Sequence, residues 1–368
     1  MTAPTISTEG LRELLEQGAP VTVLDVRPPA ERAEWSVPGS VLADAYEALR
    51  CHHANALADF RPTNSGRVVT VCAAGKTSML AAERLRARGL NAVSLEGGMR
   101  AWSLAWNTAE VPCPGSTTRI VQLRRTGKGC LSYLIGSNGD AAVVDASLDP
   151  QVYRRVADEH GWRIRTVLET HVHADHLSRA RALAVDTGAR LCLPTTDRVS
   201  FEYTPLKEDD IVRVGSAGLR VLHTPGHTPE STSYLLDDRA LFTGDTLFLA
   251  AVGRPDLEAT TDQSRRRAHA LHASLHRLVA LPPDTLVLPA HTSEPVVFDG
   301  RPISSTLGEV QERTSLLRET EEAFVSQILT RLPPTPPNHH RIVALNEAGT
   351  FPDDATELEA GANRCSVA

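Results

Sequence analysis

The stretch THVHADHLS, residues 170–178, places three histidines and one aspartate within six positions. His171 and His173 are two residues apart, so both side chains point to one side of an extended segment. Asp175 and His176 follow at the predicted turn into a helix that begins near Leu177. One stretch can therefore serve two adjacent metal positions, and these residues alone leave open whether the site holds one ion or two.

Four predicted strands each end next to a residue that can bind a metal ion. RIRTVLET leads to His171, GLRVLHTPG to His227, ALFTG to Asp245 and DTLVLPA to His291. α/β folds build their sites from strand ends that meet at one edge of a sheet. The sequence therefore predicts a metal centre in which residues far apart along the chain join the histidine stretch.

A cysteine marks a second predicted site, in VTVCAAGKTSMLAAERLRARG, residues 69–89. Cys72 ends a strand, and Gly75 lies three residues on, where Lys76, Thr77 and Ser78 open a helix. The backbone amides of such a loop, together with the helix N-terminus, stabilise a thiolate or a persulfide anion. The alternative is a buried cysteine that only ends a core strand, because free cysteines are common in cores.

Length and composition restrict the class of protein. The 368 residues exceed a single average core, which favours two domains. The net charge of −7 argues against nucleic acid or an anionic membrane as a partner. No apolar run approaches the ~18 residues of a membrane span, and no signal peptide is visible. Six scattered cysteines without a CxxC pair fit a reducing compartment, so we expect a cytoplasmic protein.

The pattern of predicted elements divides the chain into an α/β protein with two domains. Residues 1–108 alternate strand, helix and strand, which implies parallel pairing, and the turn-rich residues 109–117 form a linker. Residues 118–335 begin with hairpin-like strands and continue with strands interleaved with helices. Residues 336–368 are a proline-rich closing segment and an acidic tail, which we expect to be mobile.

The first domain resembles the rhodanese (sulfurtransferase) family over most of residues 5–106. LDVR at 24–27, VPG at 37–39, CAAGKTS at 72–78 and LEGGMRAW at 95–102 follow the order and spacing of that family. Trp35 and Ser36 stand where the family usually has Gly-His, outside the catalytic loop. The resemblance implies a small α/β domain in which Cys72 is the sulfur-accepting nucleophile. Its cradle would consist of Ala73, Ala74, Gly75, Lys76, Thr77 and Ser78.

The second domain resembles the metallo-β-lactamase superfold over residues 118–300. HVHADH at 171–176, PGHT at 225–228, FTGDT at 242–246 and PAHT at 289–292 reproduce its ligand order. The resemblance implies a four-layer αβ/βα sandwich with the metal at one edge of the two sheets. Fold membership does not by itself determine the reaction.

Two ligand arrangements are consistent with this resemblance. A dinuclear zinc hydrolase of the glyoxalase II type would hold one ion with His171, His173, His227 and Asp245. Asp245 would bridge to a second ion held by Asp175, His176 and His291, and the ions would activate a hydroxide. A mononuclear persulfide dioxygenase would bind one Fe(II) with His171, His227 and Asp245 only. Asp175, His176 and His291, with His173, would then orient those ligands.

Three features favour the dioxygenase group. GRPD at 253–256 is similar to that group, which implies Arg254 and Asp256 as substrate-binding residues. LPPTPPNHHRIVALNEAG is similar to the proline-rich closing segment of the dioxygenase group. The sulfurtransferase-like domain in the same chain would couple persulfide formation to persulfide oxidation. Two departures leave the thiol carrier open: Ala250–Val252 replaces a Gly/Cys-containing stretch, and residues 289–310 include an enlarged insertion near the expected substrate pocket.

The expected activity is therefore the oxidation of a low-molecular-weight thiol persulfide to sulfite by dioxygen. One Fe(II) per chain would serve it, while a Cys72 persulfide exchanges sulfane sulfur with small partners such as thiosulfate or sulfite. The assembly that we consider is a homodimer. The alternatives are a glyoxalase II-like thioester hydrolase with one or two Zn(II), and a sulfur-delivery protein that releases sulfide.

Overall fold

The computed structural model describes residues 3–113, 115–352, 354–361 and 363–368. The first domain contains five short strands: β1 (Thr5–Ile6), β2 (Val21–Asp25), β3 (Val41–Leu42), β4 (Arg67–Val71) and β5 (Ala92–Leu95). Its helices are α1 (Thr8–Glu16), α2 (Pro29–Glu34), α3 (Tyr46–Arg50), α4 (Lys76–Ala87) and α5 (Gly98–Trp102). The strands form one sheet in the order β1-β5-β4-β2-β3, and every pair is parallel, as predicted.

Local sequence explains these elements. The runs VTVLD and RVVTV are buried at nearly every position, as expected for a parallel sheet that is covered on both faces. Ser7 caps α1 by accepting a hydrogen bond from the Gly10 amide. Helix α4 begins after Gly75, whose φ of 84° lies in the left-handed region that favours glycine. The sheet edge where β4 ends therefore carries Cys72.

Two further sheets form the second domain. The strands of the first are β6 (Asn107–Val111), β7 (Arg119–Arg125), β8 (Cys130–Ser137), β9 (Asp140–Val144), β10 (Arg163–Leu168), β11 (Arg190–Pro194) and β12 (Thr204–Leu206). Those of the second are β13 (Ile211–Val214), β14 (Ala217–His223), β15 (Thr232–Leu236) and β16 (Ala240–Gly244), then, after β17 (Val252–Gly253), β18 (Leu286–Pro289) and β19 (Ser305–Thr306). Their orders are β12-β11-β10-β9-β8-β7-β6 and β13-β14-β15-β16-β18-β19.

These two sheets pack face to face, and helices cover their outer faces. Tyr133 and Phe242, one from each sheet, meet edge to face in the central core, with ring centroids 4.9 Å apart. The first sheet is covered by α6 (Pro150–Glu159) and α7 (Ala180–Thr187). The second is covered by α8 (Thr261–Val279), α9 (Leu307–Arg313), a 3-10 helix (Ser315–Arg318) and α10 (Glu321–Thr330). The order helices, sheet, sheet, helices is the four-layer sandwich that was predicted.

The boundary between the domains differs from the predicted one. Residues 107–111 pair in antiparallel register with β7, so the predicted end of the first domain and part of the predicted linker belong to the seven-stranded sheet. The turn-rich sequence CPGS favoured a later boundary. The strand before it has only five residues, which is too short for its alternation of buried and exposed positions to be recognised from the sequence. Pro114, inside the predicted linker, lies outside the described residues.

A loop from the second domain packs on the first. This pocket loop, residues 292–304, follows His291 and places Phe298 against Trp102 of α5, with ring centroids 6.2 Å apart. Gln122 of β7 fastens its far end by donating to the Ile303 carbonyl and accepting from the Ile303 amide, at 2.9 and 2.8 Å. The first domain thus supports a loop that begins beside the predicted metal centre.

The C-terminal residues are packed, which corrects the expected mobility of the tail. They form α11 (His339–Ala348), α12 (Thr356–Glu359) and β20 (Ser366–Val367), and β20 pairs with β17. Glu359 is completely buried and forms ion pairs with Arg125 and Arg179. Acidic composition predicted a solvated tail, whereas this one carboxylate has two cationic partners, of which Arg125 is fully buried. Within the described residues, no helix has both the length and the apolar character that crossing a bilayer requires.

Candidate metal centre and sulfur site

His171, His227 and Asp245 meet at one edge of the two sheets. They follow β10, β14 and β16, and all three side chains are buried. The Nε2 atoms of His171 and His227 lie 3.7 and 3.5 Å from the Asp245 Oδ2 atom. Gly253 of the GRPD stretch passes close to them, because a Cβ there would lie 3.1 Å from the His227 Cβ and 2.0 Å from the Asp245 carbonyl oxygen. Two histidines and one carboxylate therefore converge on one point, as predicted.

The Nδ1 atom of each converging histidine is in hydrogen-bond contact with a neighbouring residue. The Thr170 hydroxyl donates to Asp145, so its oxygen accepts from the His171 Nδ1 atom, 2.9 Å away. The His227 Nδ1 atom lies 2.8 Å from the Arg254 carbonyl, which can only accept. Both Nε2 atoms therefore present lone pairs to Asp245. Second partners of this kind are what orient the ligands of a metal ion.

The converging atoms themselves lack partners. Among the described residues, the His171 Nε2 and Asp245 Oδ2 atoms are buried and have no hydrogen-bond partner. Unpartnered buried polar atoms are rare and costly in folded proteins. A divalent cation at their meeting point would satisfy them, so this donor set fits a bound metal.

The pKa shifts of the three converging residues are also consistent with a bound metal ion. Burial lowers the pKa of His171, with His173 adding to the effect, and burial also lowers the pKa of His227. Burial alone would raise the pKa of Asp245, but His291 and the two other histidines hold it below its usual range. Two neutral imidazoles and one carboxylate are the protonation states that bind a metal.

His173 lies next to this group, and its predicted place among the ligands stays a prediction. Its Nε2 atom lies 2.8 Å from the Glu169 Oε2 atom and 3.4 Å from the Asp145 Oδ1 atom, whereas its Nδ1 atom is buried without a hydrogen-bond partner among the described residues. Burial would lower the pKa of His173, but Glu169 and Asp145 raise it well above the usual value. The period-2 spacing correctly placed His171 and His173 close together, with ring centroids 4.2 Å apart. The sequence analysis did not include the two carboxylates beside the His173 Nε2 atom.

Asp175, His176 and His291 form a second group, together with Cys130. Their donor atoms all lie within 4.8 Å of one another. The two nitrogens of His291 lie 2.6 Å from the Asp245 Oδ1 atom and 2.9 Å from the Asp175 Oδ2 atom. Burial would lower the pKa of His291, but these two carboxylates raise it well above the usual value. His291 therefore connects the second group to the first.

Several residues of this region were not predicted. The Asn363 amide donates to the Asp175 Oδ2 atom at 2.8 Å, and Asn346 donates to the carbonyls of His173 and His176. Burial would raise the pKa of the Cys130 thiol, but His176 and His291 lower it to about 6. Asp145 follows the strand in AAVVDA, just as each predicted ligand follows a strand. Its presence in this region could therefore have been predicted from the sequence. The asparagines lie too far along the chain for any local pattern to show their contact.

Arg254 and Asp256, whose substrate-binding role stays a prediction, contact each other. The Arg254 guanidinium is buried and donates two hydrogen bonds to Asp256, each of 2.8 Å. It also donates to the carbonyls of Pro334 and Arg364. Arg254 thus holds the C-terminal segment and, through its own carbonyl, orients His227. Both side chains are engaged within the protein rather than turned to a ligand.

A cavity of about 590 Å³ opens beside His291. Its walls are the pocket loop, residues 248–251 and the C-terminal residues Asn363, Ser366 and Ala368. The insertion after His291, which was expected to reshape the substrate pocket, therefore lines this cavity. Ala250 and Ala251, from the stretch that departs from the dioxygenase group, line it as well. The cavity is large enough for a small thiol compound, and His291, which contacts Asp245, links it to the metal centre.

The predicted sulfur site lies at the end of β4. Cys72 is buried, and the Ser78 hydroxyl donates to its Sγ atom at 3.3 Å. The Met99 and Arg100 amides donate to the carbonyls of Cys72 and Ala73, which fastens the loop to LEGGMR. Gly98 is required there, because a Cβ would lie 2.2 Å from the Cys72 carbonyl oxygen. Ala73 to Ser78 thus curve around the sulfur, with Thr77 and Ser78 buried and Lys76 exposed to solvent.

Comparison with known proteins identifies both domains. Residues 125–291 match the metallo-beta-lactamase superfamily, and residues 7–105 match the rhodanese-like domain. A protein of Burkholderia pseudomallei named probable metallo-hydrolase is 30% identical over 55% of this chain and 82% of its own length. The chain belongs to the metallo-beta-lactamase superfamily. A hydroxyacylglutathione hydrolase of Methylococcus capsulatus, a further relative, is 36% identical over 54% of this chain and 77% of its own length.

Solved structures of the superfamily support the fold. ETHE1 from Myxococcus xanthus is 32% identical, with a TM-score of 0.55, and covers 62% of this chain and 98% of its own. A metallo-beta-lactamase from Staphylococcus aureus is 29% identical, with a TM-score of 0.59, and covers 64% of this chain and 74% of its own. The predicted α/β class, with a rhodanese-like domain before a metallo-beta-lactamase domain, is confirmed. Membership of the superfamily also makes a metal-dependent enzyme the expectation for this chain.

Proposed function

We propose that this protein oxidises a low-molecular-weight thiol persulfide to sulfite with dioxygen. One Fe(II) per chain would be held by His171, His227 and Asp245, and a Cys72 persulfide would exchange sulfane sulfur. The observation that carries the proposal is the composition of the converging group: two histidines and one carboxylate, whose donor atoms lie within 4.8 Å of one another. Such a three-residue set leaves positions on iron open.

The balance of the reaction needs only dioxygen and water as co-reactants. The terminal sulfur of the persulfide is oxidised and dioxygen is reduced, the S–S bond breaks, and the former persulfide leaves as the thiol. Both atoms of dioxygen and one oxygen of water end on the sulfur as sulfite, with release of two protons. Bound iron supplies the redox chemistry that lets dioxygen react with a closed-shell sulfur anion.

The chain's own residues would bind and orient the reactants. The cavity beside His291 accommodates the organic part of a thiol, because its walls combine apolar side chains with the polar residues Asn363 and Ser366. His291 lies at that end of the cavity, with its two nitrogens 2.6 Å from Asp245 and 2.9 Å from Asp175. The sulfur end of a bound persulfide would therefore meet the metal centre beside His291.

The sulfur site supplies a second, chemically related exchange. Sulfite attacks the outer sulfur of a Cys72 persulfide, the bond between the two sulfurs breaks, and thiosulfate and the Cys72 thiolate are formed. The reverse step loads Cys72 from thiosulfate and releases sulfite. The hydrogen bond from Ser78 and the amides of residues 73–78 would stabilise the anionic form of the sulfur in either direction.

A second candidate is a dinuclear zinc thioester hydrolase. The hydroxyacylglutathione hydrolase relatives and the group of Cys130, Asp175, His176 and His291 favour it. The His291 Nε2, His176 Nε2 and His173 Nδ1 atoms are also buried without a hydrogen-bond partner among the described residues, as a second ion would require. The number of bound ions therefore decides between the two candidates.

Metal analysis and product analysis separate these candidates. Protein purified without added metal should contain about one iron per chain and should consume oxygen only when a thiol persulfide is present. Sulfite should accumulate in proportion to the oxygen consumed. Two zinc ions per chain, no oxygen uptake and hydrolysis of an acyl-thiol would establish the second candidate instead. Release of sulfide rather than sulfite would indicate a sulfur-delivery protein.

A further inference from the structure

The cavity beside the Cys72 loop has walls from both domains. This sulfur-site cavity has a volume of about 210 Å³. Ala73 of the loop lines it, and so does Arg100, whose amide donates to the Ala73 carbonyl at 3.1 Å. Ala360 and Gly361, from the C-terminal segment of the second domain, line it as well. Because Cys72 is only 2% exposed, a sulfur donor has to approach it through the space around this loop.

Buried anchors hold Ala360 and Gly361 in this wall. On one side, the Glu359 carboxylate is 0% exposed and pairs with two arginines. On the other side, Asn363 is 8% exposed, and its amide donates to the Asp175 carboxylate at 2.8 Å. A stretch that is fixed at both ends by buried polar contacts is costly to displace. The wall is therefore a fixed part of the sulfur-site cavity in the folded protein.

The volumes of the two cavities suit reactants of different size. Pockets that enclose an organic ligand of drug-like size measure about 300–1,000 Å³. The cavity beside His291, at about 590 Å³, lies within that range, whereas the sulfur-site cavity, at about 210 Å³, lies below it. Thiosulfate and sulfite have only a few non-hydrogen atoms, so they need less room than the organic part of a thiol persulfide.

Neither charge nor chemistry separates these reactants at the sulfur-site cavity. Arg27 and Arg100 line it together with Glu31 and Glu34, so charges of both signs are present. A Cys72 thiolate that attacks the outer sulfur of thiosulfate breaks the bond between the two sulfurs and releases sulfite with the bonding electron pair. The same attack on an organic persulfide releases the thiolate of the carrier. The remaining difference between the two donors is their size.

We propose that Ala360 and Gly361 determine the specificity of the sulfur site, because they admit inorganic sulfur anions to Cys72 and exclude organic persulfides. The proposal rests on the proposed sulfane exchange at Cys72. Organic persulfides would then bind in the larger cavity beside His291, and sulfite formed from them is small enough for the sulfur-site cavity. A segment of the second domain thereby assigns the two kinds of sulfur reactant to different sites.

Mass spectrometry of the full chain measures how fast Cys72 is loaded with sulfane sulfur. The donors are thiosulfate and glutathione persulfide, and the reaction is kept under nitrogen so that no persulfide is oxidised. Glu359→Ala removes one anchor of the wall. Loading by glutathione persulfide should then accelerate about tenfold or more, since loss of one member of a buried ion pair shifts an equilibrium by at least that factor. Loading by thiosulfate should stay almost unchanged, because a small anion already passes.

Ala360→Trp tests the wall in the opposite direction. Ala360 has a φ of −66° and accepts a larger side chain without backbone strain, whereas Gly361 has a φ of 109°. The indole should slow loading by thiosulfate about tenfold or more, because even one methylene group in a pocket changes discrimination by about that factor. Ala360 is half-buried, so this variant is also informative if Glu359→Ala does not fold. Glu357→Ala is the matched control, since it removes only an exposed ion pair and should leave both rates unchanged.

Three results would overturn the proposal on its own. They are equally fast loading of the unaltered protein by both donors, no acceleration with glutathione persulfide in a folded Glu359→Ala, and unchanged loading by thiosulfate in Ala360→Trp. If neither donor loads Cys72 in the unaltered protein, the proposed sulfane exchange fails and this proposal fails with it. The measurements do not use the metal centre, so a protein that lacks persulfide oxidation would refute that activity and still test the wall.

Discussion

Replacing Glu359 with alanine should release the C-terminal segment from the metal domain. The Glu359 carboxylate accepts two hydrogen bonds of 3.2 Å from Arg125, two of 2.5 and 2.8 Å from Arg179, and one of 2.7 Å from the Leu177 amide. The Arg125 and Glu359 side chains are both 0% exposed. Removal of the carboxylate leaves a buried guanidinium without its counter-charge.

The size of the effect follows from that burial. Removing one partner of a buried ion pair costs about 3–5 kcal/mol, which shifts an equilibrium by a factor of roughly 10² to several thousand. Glu357 provides a matched control in the same helix, because it pairs with Arg100 at the surface, with the two side chains 64% and 47% exposed. An exposed pair contributes about 0–1 kcal/mol, so Glu357→Ala should have little effect.

Hydrogen exchange measures the docking of this segment directly. In Glu359→Ala, the amides of Arg254 and Cys365, which donate to the Cys365 carbonyl and to the Asn363 side chain, should exchange at least a hundredfold faster. Amides of the Cys72 loop should be unaffected. Equal exchange in Glu359→Ala and the unaltered protein would refute the reasoning, and so would an equally large effect of Glu357→Ala.

Three further outcomes are expected. Burial would raise the pKa of Glu359, but Arg125 and Arg179 lower it far below its ordinary 4.5, so its stabilising contribution is present above pH 4.5 and is lost as the pH falls below that value. Urea titrations from about pH 5 down to about pH 2.5 should show a steeper loss of stability in the unaltered protein than in Glu359→Ala; equal slopes would contradict the reasoning. Cys72→Ser should abolish sulfane transfer from thiosulfate yet change oxygen uptake by less than about twofold, because the two sites do not share ligands; equal loss of both would contradict separate sites. Phe298→Ala should raise the KM for the persulfide several-fold with unchanged iron content, since the pocket loop loses its anchor on Trp102; an unchanged KM would show that this anchor is dispensable.

Local pattern was sufficient to locate the centre but not to assign every role in it. His171, His227 and Asp245 each follow a buried strand, and parallel strand ends lie together in an α/β fold, so their convergence could be predicted. The carboxylates that contact His173 and Arg254, which are Glu169 and Asp256, could not be assigned as their partners in the same way. Such pairings depend on side-chain orientation, which the strand pattern does not determine.

Contacts between distant parts of the chain were the other source of error. Asn363 reaches Asp175 across 188 residues, and Glu359 reaches Arg125 across 234 residues. Neither contact produces a periodic pattern in the sequence. The prediction for the tail therefore followed its acidic composition and missed the buried ion pairs of Glu359. The first strand of the seven-stranded sheet was misplaced for a related reason, because only its partner β7 identifies it.

The docked C-terminal segment also has a consequence for how the protein matures. Contacts that close loops of about two hundred residues form late in folding, because their entropic cost is met only after both ends are structured. The sandwich can therefore assemble while Asn363 and Cys365 are still absent from the centre. Access to the edge that carries His171, His227 and Asp245 therefore depends on whether this segment has docked.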